Sequence, residues 1–319
     1  MPKIFITREI PEIGINLLKE KNWEVSVGPE GVISREEILE GVKGADAILS
    51  VLTEKIDKEV METAGEQLKI IANYAVGYDN IDLEEAKSRR IFVTNTPGVL
   101  TEAVAEHTIA LLLAAACRVV EGDRYVRAKK FNGWGPKLLL GADIHGKTLG
   151  VIGLGRIGAE VARRMRDGFD LKIIYYDVQR NEELEKKYNL KYKEIDALLK
   201  EADFVSLHTA LTSETQHLIS AERLKLMKPT AYLINTSRGA IIDEAALVEA
   251  LKNKTIAGAG LDVFENEPEL TAGLTELENV VLTPHIASAT KETRDKMAEM
   301  AAQNIIAALD GKTPMNLVH

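Results

Sequence analysis

Cysteine is nearly missing from this chain of 319 residues: Cys117 is the single one, which excludes an intrachain disulfide and any metal cluster built on cysteine. A basic stripe is missing too. Aspartate and glutamate outnumber lysine and arginine by 49 to 40, for a formal charge of −9, which argues against a nucleic-acid partner because binding phosphates needs clustered cations. An anionic small molecule stays allowed, since it needs only one local cationic pocket. Long hydrophobic runs are also lacking. The one membrane candidate, Thr108–Cys117, is ten residues long, is followed at once by Arg118, and falls far short of the ~20 a spanning helix needs. Cys117, at the end of that run, is expected to be a buried small residue rather than a reactive thiol. The chain opens directly on the strand-like Lys3–Thr7, so no signal peptide is expected and a cytoplasmic location is. Low-complexity tracts and solenoid-type repeats are absent.

What is present is apolar enough, at 45%, for a globular protein, and long enough for two domains that each bury a core. Over the first hundred residues, short β-branched runs alternate with helical patterns. The predicted strands are Ile4–Thr7, Glu24–Val27, Ala47–Val51, Lys69–Asn73 and Ile91–Thr94. Pro11 can open a helix at its first turn, Ser34 and Glu37 form a capping box, and Asp57 and Asp82 suit N-caps. Thr96-Pro97-Gly98 interrupts the pattern, and one long helix is predicted from Thr101 to Ala128, buried between domains or in a subunit interface. Phe131–Lys147 reads as loop. A second alternating series follows, with strands at Leu149–Ile152, Lys172–Tyr176, Phe204–His208, Tyr232–Asn235, Ile256–Leu261 and Val280–Thr283. A last helix runs from about Ser288 to Leu309 and ends at Gly311. Alternation of this kind predicts an α/β protein with two doubly wound parallel sheets and a cleft between two domains, with ligands at the carboxyl ends of the strands.

The glycine run Gly153-Leu154-Gly155-Arg156-Ile157-Gly158 lies between a predicted strand and a predicted helix. Alone it could serve any tight turn, but a second strand ends in Asp177, 177 − 158 = 19 residues after the last glycine. Gly153 would make the turn, Gly155 would let the backbone approach a pyrophosphate, and Gly158 would let helix and strand pack closely. The helix N-terminus supplies free N–H groups and partial positive charge. The cofactor is therefore NAD(P), and Asp177 favours NAD because its carboxylate can accept from ribose hydroxyls and would repel a 2′-phosphate. Arg180 could offset part of that repulsion, and Asp177 could instead merely end its strand.

Three further polar residues each follow a predicted strand of the second series: Arg238, Glu267 and His285. Each has a plain alternative, as a helix cap, a solvated surface group or a satisfied loop histidine. Their shared position on the cofactor-side ends of one sheet points to catalysis instead. No cluster suits a metal, and none is expected.

The motifs Gly153–Gly158, Asn235-Thr236-Ser237-Arg238-Gly239, Gly260-Leu261-Asp262-Val263-Phe264 with Glu267-Pro268, and Thr283-Pro284-His285 together resemble the D-isomer-specific 2-hydroxyacid dehydrogenase family, over essentially the whole chain. Ile4–Pro11 and Asn73–Asp82 are most similar to its glyoxylate/hydroxypyruvate reductase branch. The resemblance implies NADH-dependent reduction of a small 2-oxo acid, with His285 as proton donor, Glu267 orienting it, and Arg238 holding the substrate carboxylate and polarising its carbonyl. It implies substrate contacts at Leu52, Val76 and Gly77, and cofactor contacts at Thr101, Arg156, Ile157, Thr236, Asp262 and Ser288. It further implies a substrate-binding domain of residues 1–98 plus 288–319, an NAD-binding domain of 99–287, and a homodimer formed through Thr101–Ala128.

A 3-phosphoglycerate dehydrogenase fits less well, because the loop Ser50–Glu54 has no arginine and places Glu54 where a phosphate would need a cation, and because a chain ending at His319 is expected to leave no room for a regulatory domain. The glutamate at 267 disfavours a formate dehydrogenase. D-lactate dehydrogenase stays open, since one methyl group in a pocket is worth only ~1–3 kcal/mol. A corepressor-like NAD(H)-sensing protein would carry the same three residues, although no added tail for a partner is expected here.

Overall fold

The computed structural model describes residues 1–318 and divides the chain into two units, Met1–Leu100 together with the chain from Ala289 onward, and Thr101–Ser288. In the first unit, β1 (Lys3–Ile6), β2 (Glu24–Val27), β3 (Ala47–Ser50), β4 (Ile70–Asn73) and β5 (Phe92–Thr94) form a parallel sheet in the order β2-β1-β3-β4-β5. Every residue of β3 and β4 is buried, as expected of central parallel strands covered on both faces. The covering helices are α1 (Glu12–Lys19), α2 (Arg35–Gly41), α3 (Lys58–Ala64) and α4 (Leu83–Ser88). Their starts follow the capping chemistry: Ser34 and Glu37 form the reciprocal box, and Asp57 and Asp82 accept the amides of Val60 and Glu85. Pro11 sits one residue earlier than expected, at the N-cap of α1. Ile91 lies outside β5 because its amide returns to Ala86 at the end of α4. The last helix, α12 (Lys291–Leu309), is capped by Thr290 and packs on α1 and β4.

The second unit holds β6 (Thr148–Ile152), β7 (Lys172–Tyr176), β8 (Lys191–Tyr192), β9 (Phe204–Leu207), β10 (Tyr232–Asn235), β11 (Gly258–Leu261) and β12 (Val280–Leu282). They form one parallel sheet in the order β12-β11-β10-β9-β6-β7-β8. Strand order therefore reverses between β6 and β9, the position at which doubly wound sheets receive ligands. The two-residue strand β8 is too short to be read from pattern. Around the sheet lie α5 (Thr101–Ala116), α6 (Val119–Arg127), α7 (Arg156–Phe169), α8 (Glu182–Tyr188), α9 (Ile195–Glu201), α10 (Ala221–Leu224) and α11 (Glu244–Lys252).

Two expectations are corrected here. The helix predicted from Thr101 to Ala128 is two helices, bent by 61° between Ala116 and Val119. Arg118 at the break takes a left-handed backbone (φ 56°), and Glu121 and the Leu140 carbonyl hold its guanidinium. Cys117 is exposed rather than buried, because the chain leaves the apolar face of α5 at that bend. Among the described residues no single helix is long and apolar enough to cross a membrane; the bent pair α5–α6 passes only on joint length and composition, and α5 packs against α7, β10 and β11.

Candidate active site

After β6 the chain turns at Gly153, whose φ of 92° and whose approach to the His208 backbone both exclude a side chain: a Cβ would lie 2.7 Å from the His208 carbonyl carbon. A Cβ on Gly158 would meet the Gly153 carbonyl oxygen at 2.0 Å, so the start of α7 can lie on the turn only without one. Gly155, the N-cap of α7, has open space at its Cβ position and offers no side-chain cap to the amides that follow. Arg156 and Ile157 form the first turn of that helix. A bare helix N-terminus beside an open glycine cradle fits a pyrophosphate. Asp177, just past β7, accepts the amide of Leu154 at 2.7 Å through Oδ2 and that of Gln179 at 3.3 Å through Oδ1. Its carboxylate is thereby held against the glycine turn. Arg180 is engaged by Glu185 at 2.6 Å, so its charge is already paired away from Asp177. Across the switch point, His208 contacts Ser206 Oγ at 2.8 Å, and burial of its ring pushes its pKa down to about 3, which keeps it neutral.

Beyond β10, β11 and β12 come the other three residues. These strands are in register, Asn235 beside Leu261 and Leu261 beside Leu282, so the loops that follow are neighbours. Asn235 shapes the first loop: its Nδ2 donates to the Arg238 carbonyl at 2.8 Å and its Oδ1 accepts from the Ser237 amide. Arg238 donates from Nη1 to the Ser237 carbonyl. Glu267 accepts the Phe264 amide through Oε1 at 2.9 Å and contacts His285 Nδ1 through Oε2 at 2.9 Å. Occupying Nδ1 leaves Nε2 as the nitrogen able to face a reacting group. His285 has φ 55° and is about a quarter exposed, a strained but accessible setting. Asp262, wholly buried, accepts the amides of Ile286 and Ala287 and the hydroxyl of Thr283. Thr236 lies 2.7 Å from Thr108, oxygen to oxygen, while Thr101 opens α5 and Ser288 is half-buried.

In the first unit, Leu52 is partly exposed in the loop after β3, and Val76 and Gly77 follow β4. Sequence reasoning missed what holds these loops. Asn73 donates to the Gly77 carbonyl at 2.8 Å and to Asn80 Oδ1 at 3.0 Å, while Asn80 donates to the carbonyls of Val51 and Glu54. Asn95 donates to the Val76 carbonyl. The amides thus tie the loop after β3 to the loop after β4; Asn73 and Asn80 flanking the glycine were the only signal. The picture of Glu54 is also revised. It does not stand as an open negative charge: it is buried, ion-paired with Arg8 at 2.8 Å, and accepts from Thr7 and the Val51 amide. Among the described residues, no group of three histidine, cysteine or acidic side chains is placed to hold a metal.

Residues 109–287 match the family described as D-isomer specific 2-hydroxyacid dehydrogenase, NAD binding domain. A glyoxylate reductase from Pyrococcus horikoshii is 55% identical, over 100% of this chain and 96% of its own length. Among solved structures, a glyoxylate reductase from Paecilomyes thermophila superposes with a TM-score of 0.89 at 34% identity, covering 100% of this chain and 99% of that one. An NADPH-dependent glyoxylate/hydroxypyruvate reductase from Sinorhizobium meliloti, in complex with NADP and malonate, gives 0.87 at 32% identity, covering 99% and 96%. The chain belongs to the D-isomer specific 2-hydroxyacid dehydrogenases. It is an oxidoreductase with an NAD-binding domain of the doubly wound type.

Proposed function

We propose that the chain reduces a small 2-oxo acid, glyoxylate or hydroxypyruvate, to the D-2-hydroxy acid with NADH, reversibly. The reading is carried by the 2.9 Å contact between His285 Nδ1 and Glu267 Oε2, beside the loop of Arg238, on the sheet whose glycine turn suits a dinucleotide. The bound nicotinamide supplies the hydride. His285 donates a proton from Nε2 to the substrate's carbonyl oxygen, and Glu267, through its contact with Nδ1, orients the ring. Arg238 pairs with the substrate carboxylate and polarises the carbonyl, a task for a permanently charged planar fork. In the first unit, read as the substrate-binding domain, the Val76 and Gly77 amides receive the carboxylate and Leu52 offers apolar surface. Thr101, Gly153, Gly155, Arg156, Ile157, Gly158, Asp177, Thr236, Asp262 and Ser288 serve the cofactor.

Asp177 favours NADH, since a 2′-phosphate would meet its charge while Arg180 is occupied by Glu185. The exposed apolar side chains of Val119, Val126, Phe131 and Trp134, on α6 and the loop after it, support a homodimer through this region. The cytoplasm, which supplies reduced nicotinamide, is the compartment this reading assigns. Following NADH absorbance with glyoxylate, hydroxypyruvate, pyruvate and 3-phosphohydroxypyruvate tests the function: turnover of the first two should have the highest kcat/KM. A preference for the phosphorylated acid, or equal use of NADPH, would refute the substrate or the cofactor assignment respectively.

A further inference from the structure

Helix α5 is largely apolar, yet its adjacent residues His107 and Thr108 both reach the carboxyl ends of the sheet. Thr108 is completely buried and donates to the Val104 carbonyl, so at 2.7 Å it can only accept from Thr236, the first residue past β10. His107 Nε2 lies 3.0 Å from Thr283 Oγ1 and 3.4 Å from Asp262 Oδ1. The Thr283 hydroxyl donates its one hydrogen to Asp262 at 2.7 Å, which makes His107 the donor to Thr283. Asp262 in turn grips the chain around His285: its side chain accepts the amides of Ile286 and Ala287 at 2.8 Å, and its carbonyl accepts that of His285 at 2.8 Å. The left-handed backbone of His285 requires such a grip.

We propose that His107 and Thr108 are positioning residues: His107, through Thr283 and Asp262, holds the loop that aims His285, and Thr108, through Thr236, holds the loop that carries Arg238. The inference rests on His285 and Arg238 being the reacting groups of the proposed reduction. Its physical basis is cost against use. A largely covered imidazole, about a fifth exposed, and a fully buried hydroxyl pack no better than leucine and valine and need partners to be tolerated. Here their partners are residues at the starts of the two loops, where a shift of about 1 Å costs on the order of a hundredfold in rate.

The test compares His107→Leu, His107→Gln, Thr283→Val and Thr108→Val, with His285→Ala as reference, in steady-state reduction, NADH binding by fluorescence, and thermal melting. His107→Leu and Thr283→Val should lower kcat by roughly tenfold to a hundredfold while KM for the oxo acid and Kd for NADH move less than about threefold. His107→Gln, which restores a donor close to the position of Nε2, should recover most of the lost kcat. Thr108→Val should act chiefly on KM for the oxo acid, through Arg238. Should His107→Leu not fold, Thr283→Val carries the test, because it removes the middle link and leaves His107 in place. Folded His107→Leu and Thr283→Val enzymes with full kcat would overturn the proposal, as would a glutamine variant no better than leucine. Undiminished kcat in His285→Ala would instead overturn the reading of the site on which it rests.

Discussion

Asp262 carries its carboxylate with no exposed surface, where burial alone would raise its pKa. The His107 ring 3.4 Å away and hydrogen bonds from Thr283 and the amides of Ile286 and Ala287 outweigh that and hold it below the ordinary value of 3.8. A folded-state pKa below the unfolded one contributes stability that is fully present above the unfolded value and is lost as pH falls through the folded one. The stability gap between the native chain and Asp262→Asn should therefore be widest near neutrality and shrink below about pH 4, as denaturant unfolding across that range would record. The roles proposed for the reacting groups separate kinetically. His285→Ala should lower kcat by ~10²–10⁴-fold with little change in KM, whereas Arg238→Ala should also raise KM for the oxo acid. An Arg238→Ala enzyme with unchanged KM would contradict its assignment. At this scale the motifs were legible: Arg238, Glu267 and His285 were visible as polar residues after predicted strands. His107 was not, because it acts on residues distant in sequence and carries no motif of its own. Asn80, though inside the segment Asn73–Asp82, gave no sign that it ties that loop to the carbonyls of Val51 and Glu54.

Among the elements, α1 and α12 make the most informative contact. A Cβ built on Gly14 would lie 2.7 Å from the Ala298 carbonyl oxygen, so the helices approach at a separation that only glycine permits. Replacing a helical glycine by alanine ordinarily gains about 0.5–1 kcal/mol. Here the sign should reverse, with Gly14→Ala destabilising the first unit by about 1–2 kcal/mol because the clash is with backbone. Equilibrium unfolding that showed Gly14→Ala more stable than the native chain would contradict this packing. Helix starts were readable because Ser34, Asp57 and Asp82 are local chemistry. The break between α5 and α6 was not, since neither proline nor glycine stands at residues 116–119 to mark it, and part of what holds it, the contact of Arg118 with the Leu140 carbonyl, comes from beyond α6.

For the whole molecule, the assembly state is the property most open to direct test. Trp134 is 85% exposed and stands near Phe131, Val119 and Val126 in the chain, all of them exposed too. Light scattering should find a dimer for the native chain and a shift toward monomer for the double variant Phe131→Asp, Trp134→Asp; a native monomer would remove the proposed interface. The amino-acid sequence by itself determined the α/β class, nearly every strand, the dinucleotide turn and the three polar residues after the strands, because periodicity, capping and backbone freedom act over a few residues. Only the tertiary structure decided that β9 lies beside β6, that the chain's last helix closes its first sheet, and that Glu54 faces Arg8 instead of a ligand. It also decided that His285 meets Glu267 through Nδ1 and that α5 reaches the loops around both proposed reacting groups. These are pairings between residues far apart in the chain, and burial of shared apolar surface, which no local pattern encodes, chooses among them.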